Sequence, residues 1–201
     1  MLGNPDVEGL LFDYQHFWGD YDHVHRSHGW YQREIRIVRN DPNIHSWESA
    51  QSFRYILDFD GKRYRQKEGT RKLNVAKVHA EVFHYGWVRP PRLMRKKMKA
   101  LRNIHHGKDG AEAIFEQEPL DFDYGDLSRI AKFQGTHPKV MEGFIQRFDW
   151  GDQLRYSGGN SKDRKLFKHE RLKYRLLSWV ENHLRGGEQL FAFKNYKEVR
   201  V

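Results

Sequence analysis

The densest set of reactive side chains lies in EVFHYGWVRPPRLMRKKMKAL, residues 81–101. A strand ending near His84 and a glycine suited to a tight turn lead to Trp87 and Arg89. A helix then opens at Pro91, because Leu93, Met94, Met98 and Leu101 recur at helical spacing and proline is tolerated in a first turn. Arg92, Arg95, Lys96, Lys97, Lys99 and Arg102 surround that helix with cations. An imidazole, a guanidinium and unpaired helical N–H groups at one junction suit a diphosphate with a bound divalent cation. The plainer reading makes His84 a hydrogen-bonded strand residue and the cations a solvated face. Spacing alone leaves both open.

Other groups offer less. Asp58-Phe59-Asp60 and Asp121-Phe122-Asp123 could hold a cation through oxygen, but the first precedes a turn glycine and the second sits in a polar loop. His16, His23, His25, His28 and His105-His106 lack zinc-ligand spacing, and the chain has no cysteine. Aromatic and basic residues interleave over 12–39, a pattern that serves nucleobases and sugar rings alike, and Glu34 and Glu48 are the acids near it that could act as a general base. No P-loop, dinucleotide fingerprint or serine elbow occurs.

These groups need a scaffold. Length, 201 residues, fits one domain with room for a second small unit. Thirteen Phe, 10 Tyr and 6 Trp supply a packed core despite a mean hydropathy of -0.93. A net charge of +9 favours anionic partners, and no apolar run approaches a membrane-spanning length. Strands are expected over 8–18, 30–39 and 73–85, the second burying Ile35 and Ile37 on one face, and a hairpin over 53–75 turning at Asp60-Gly61. Helices are expected over 91–104, from Pro138 with the stripe Val140, Met141, Phe144, Ile145 and Phe148, and over 161–185 capped by Ser161, with 107–126 mostly loop. In the last helix Leu166, Phe167, Leu172, Leu176, Leu177, Trp179, Val180 and Leu184 make the expected apolar side. Strands first and helices after make the class α/β or α+β.

Taken in order, LLFDYQHFWGDYDHV, WYQREIRIVRND, SWESAQSFR, FHYGWVRPP, FQGTHPKVM and FKNYK resemble the later part of bacterial family 2-type glycosyltransferases, over about residues 8–196. The resemblance implies an α/β, partial GT-A mixed sheet with a helical C-terminal extension, divided as 1–105 and 106–201. The family's nucleotide-binding half is not found before Leu10, so a truncated product, half of a split gene or a start assigned too late is expected, with activity doubtful for the chain alone. Transfer would run from a nucleotide-sugar donor to a glycan or lipid-linked acceptor, in the cytoplasm or at the inner face of the membrane.

By the same resemblance His84 is the histidine that joins a divalent cation, Mn²⁺ or Mg²⁺, and Arg89 lies near the diphosphate. Glu48 stands beside the position of the family's acidic residue, now Ser49, and is the candidate general base. Gln51 and Arg54 line the same pocket, and Trp87 and Lys97 complete the substrate contacts. A competing reading from charge alone is a nucleic-acid-binding or other basic interaction module without catalysis.

Overall fold

The computed structural model describes residues 3–62, 67–115, 119–162, 164–192 and 194–200, with side chains at all of these except 49–51 and 104–115. The class is mixed α/β, with antiparallel and parallel strand pairs and a few helices. The chain forms two compact units, each assembled from separated segments: residues 1–14, 31–82 and 191–201 in the first, 15–30 and 83–190 in the second. Strands β1 (Gly9–Trp18) and β6 (Thr70–Trp87) contribute residues to both.

In the first unit β3 (Arg33–Val38) runs antiparallel to β1, β4 (Ile44–Trp47) and β5 (Ser49–Ile56) form a hairpin, and β5 pairs antiparallel with β6. Strand β8 (Tyr196–Glu198) adds to β6 in parallel. Leu11, Ile35, Leu73 and Val75 are buried together, each worth about 1.5–3 kcal/mol in area removed from water. Ile37 does not join them and is 50% exposed. The pairing slips between Leu10 and Leu11, which face Ile37 and Ile35, so Arg36 is an extra residue that throws the two isoleucines out of alternation. Gly61 has φ 73°, as a turn glycine should, but the β5–β6 connection spans residues 57–69 rather than a tight turn.

In the second unit the end of β1 pairs with β2 (His23–His25), which pairs with β7 (Ala131–Lys132). Phe17, Trp18, Met94, Tyr124, Leu127 and Trp150 form its core. Two buried indoles are satisfied by backbone, Trp18 Nε1 donating to Tyr124 O at 2.9 Å and Trp150 Nε1 to Gly19 O at 2.9 Å.

Three helical expectations change. Helix α1 runs Pro91–Phe115, past the expected end at 104: Ala111, Glu112 and Ala113 favour a helix, and Gly107 and Gly110 weaken one without stopping it. After Pro138 come a 3₁₀ turn and a single helical turn, α2 (Glu142–Ile145); Met141, Ile145 and Phe148 pack on the core while Val140 and Phe144 are 81% and 54% exposed. Helix α3 is Leu172–Leu184, and Ser161 does not cap it. Glu170 accepts from Arg164 at 2.6 and 2.8 Å and from the Phe167 N–H at 2.7 Å, holding residues 164–170 in a separate turn.

The orientation of α3 meets only part of the expectation. Leu177 and Val180 are half-buried, but Leu172, Leu176, Trp179 and Leu184 are 54–69% exposed, whereas Glu181 is 1% exposed. Polar anchors decide this: Glu181 accepts from His28 Nδ1 and from the Leu190 N–H, both at 2.7 Å, and Ser178 Oγ accepts from the His28 N–H at 2.8 Å. Among the described residues no helix is long and apolar enough to cross a membrane.

Candidate functional site

The junction between β6 and α1 gathers four of the expected residues in the second unit. His84, Trp87, Arg89 and Lys97 all lie in the stretch from the end of the strand through the second turn of the helix. Gly86 serves them differently from expectation: it has no positive φ and lies inside β6. A Cβ there would stand 2.5 Å from His84 Nε2, so the missing side chain is what lets the imidazole fold over the strand. On its other nitrogen, His84 Nδ1 is 3.1 Å from His16 Nδ1.

Lys97 closes the junction. Its Nζ donates to Gly86 O at 2.5 Å and sits 5.3 Å from the Trp87 ring centre. Burial, followed by the nearby Arg89 charge, pulls the Lys97 ammonium below its ordinary value. Arg89 itself points an exposed side chain outward while its carbonyl accepts from Tyr124 Oη at 2.8 Å. Trp87 is half-buried against Trp18 and Trp30, ring centres 4.9 and 5.8 Å away. Lys97 and Arg89 are near enough for their charges to act on each other, and both gain by sharing an anion.

The remaining expected residues stand in the first unit, on the β4–β5 hairpin. Glu48 occupies its turn with φ 60° and an exposed side chain. Arg54 lies 4.6 Å over the Trp47 ring; burial lowers its pKa and the Glu48 charge opposes that. Gln51 is on β5, and its side chain lies outside the described residues, as do those of His105 and His106. Glu34, the other candidate acid, sits opposite Phe12 on β3, and burial raises its carboxyl to about 7 against the opposing charge of Arg36.

The acidic pairs behave as backbone devices. Asp60 Oδ1 accepts the Lys62 N–H at 2.9 Å; Asp123 accepts the Gly125 N–H at 2.7 Å and pairs with Arg164 at 3.3 Å. Asp121 and Asp123 border a cavity of about 690 Å³ shared with Arg155, Lys162 and Arg164. Among the described residues no three His, Asp or Glu side chains are grouped to hold a metal ion. His84 therefore offers a cation one nitrogen, with Arg89 and Lys97 rather than carboxylates as its companions along the chain.

One arrangement escaped the sequence reading. His23 lacks zinc-ligand spacing, yet with Asp20, which the sequence did not single out, it forms a buried dyad, both residues under 5% exposed. His23 Nδ1 lies 2.8 and 2.9 Å from the two Asp20 oxygens, and Tyr156 Oη donates to Asp20 Oδ2 at 3.0 Å. The D-x-x-H spacing within GDYDH was the available signal, since three residues across a turn bring the two side chains together. Two further histidines stay neutral: desolvation drives the buried His25 well below its ordinary pKa and the half-buried His169 to about 4, their rings 4.4 Å apart. No family model, no curated protein and no solved structure matches the chain.

Proposed function

We propose that the chain is a GT-A-type glycosyltransferase-like protein, moving a sugar from a nucleotide-sugar donor to a glycan or lipid-linked acceptor, with peripheral membrane contact on the acceptor's side. The observation that supports this is the junction at a helix start, where Lys97 lies against Trp87 and within reach of the Arg89 charge, with the His84 imidazole at the preceding strand end. Departure of a nucleoside diphosphate builds negative charge on its leaving oxygen. Arg89 and the two N–H groups that Lys97 does not give to Gly86 meet that charge, and Trp87 offers an aromatic face to the base or sugar. A divalent cation, Mn²⁺ or Mg²⁺, would add positive charge at the diphosphate when bound, with His84 as one of its ligands.

Calorimetric titration with UDP- and GDP-sugars in the presence of Mn²⁺ tests the reading. Saturable heat, weakened about tenfold or more by Arg89→Ala, is the expected result, the size of one lost charge-assisted contact. Binding of nucleic acid that collapses with added salt, with no heat from nucleotide sugars, would replace this reading by that of a basic interaction module.

A further inference from the structure

The Asp20–His23 dyad opens on a cavity. A space of about 570 Å³ is bordered by Asp22, Lys132, Gln134, Phe133, Phe148 and Tyr156 together with the two dyad residues. Asp20 is held rigidly: besides His23 and Tyr156 it accepts the backbone N–H groups of Asp22 and His23, each at 2.9 Å. With its Nδ1 proton committed to that carboxylate, the His23 ring presents a lone pair at Nε2. Among the described residues Nε2 has no hydrogen-bond partner, and it is not a sealed buried atom.

We infer that this cavity binds a saccharide and that His23, oriented by Asp20, is the general base for one of its hydroxyls. The lining carries the two features a sugar ring demands: aromatic faces at Phe133, Phe148 and Tyr156 for its C–H surfaces, and Asp22, Gln134 and Lys132 for its hydroxyls. Every group belongs to the second unit. The inference rests on the glycosyltransferase reading for the reaction, though not for the binding. As the acceptor oxygen bonds to the anomeric carbon, its proton passes to His23 Nε2, and the bond from that carbon to the diphosphate oxygen breaks with its electron pair leaving on the nucleoside diphosphate. Asp20 stabilises the imidazolium until its proton is released to water. Glu48 on this account is not the base.

Methyl glycosides of glucose, galactose and N-acetylglucosamine are the probes. Titrated into the labelled protein without donor, at least one should shift the His23 Hε1 resonance saturably, and Gln134→Ala, at an exposed rim position, should weaken that binding about tenfold. No glycoside-dependent shift, or binding indifferent to Gln134→Ala, overturns the inference. Where nucleotide sugar also binds, His23→Gln should cut turnover about a hundredfold with donor KM unchanged. Turnover within about threefold of the parent in His23→Gln overturns His23 as base. Glycoside binding alongside a flat nucleotide-sugar titration would uphold the saccharide site while removing the transferase reading.

Discussion

His16 and His84 face each other with their Nδ1 atoms 3.1 Å apart and their rings nearly perpendicular, at 83°. One of the two nitrogens must donate and the other accept, so each ring fixes the tautomer of its neighbour. His84 reaches this position only because its Nε2 end overlies Gly86. Gly86→Ala should therefore cost about 1–3 kcal/mol, the range for overpacking a closed contact, and should displace the His84 imidazole signals. Urea denaturation and histidine-edited NMR would check both; an unperturbed His84 in the alanine variant would contradict the packing argument.

Acid should weaken the fold through His25 and His169. Both are held neutral by burial, with His169 at about 4, whereas an unfolded histidine titrates near 6.5. As pH falls below 6.5 the unfolded chain takes up protons that the folded rings refuse, so stability drops until the folded values are reached. His169→Gln should flatten part of that decline. Urea midpoints at intervals between pH 7 and pH 4 give the measurement.

Glu34 contributes with the opposite sign. Its folded value of about 7 lies above the unfolded one, so its stabilisation is complete below about 4.5 and is lost as pH rises through 7. Glu34→Gln removes that loss and should leave the protein more stable at pH 8, by about 1–2 kcal/mol after allowance for its partial exposure. At pH 4 the variant and the parent should unfold at nearly the same urea concentration.

The two faces of α3 should respond in reverse of their hydrophobicity. Leu172→Ser and Leu176→Ser alter exposed positions and should each change stability by less than about 0.5 kcal/mol. Glu181→Ala deprives His28 Nδ1 and the Leu190 N–H of their acceptor and should cost about 2–4 kcal/mol. Thermal unfolding of the three variants side by side decides whether the helix sits as described.

Much of this architecture was legible in the letters. Alternation placed β1, β3 and β6, and Pro91 with the spacing of Met94 and Met98 placed the start of α1, because those signals are local. What failed was decided by distant partners. Ile37 left the core through a bulge set by pairing with β1, and α3 turned Leu172, Leu176 and Leu184 outward because His28, some 150 residues earlier in sequence, supplies the partner for Glu181. The site divided in the same way. His84, Trp87, Arg89 and Lys97 are near in sequence and stayed together, while the Asp20–His23 cavity needs Lys132, Phe148 and Tyr156 from far along the chain.

The outward leucines and Trp179 also govern how the protein behaves in bulk. A row of oily side chains on a rigid rod, with Lys173 and Arg175 between them, resists clustering by mutual repulsion only while those charges are unscreened. Sulfate and phosphate buffers both shield the cations and sharpen the aversion of water for the leucines, so concentrated stocks should cloud in ammonium sulfate well before they do in dilute chloride.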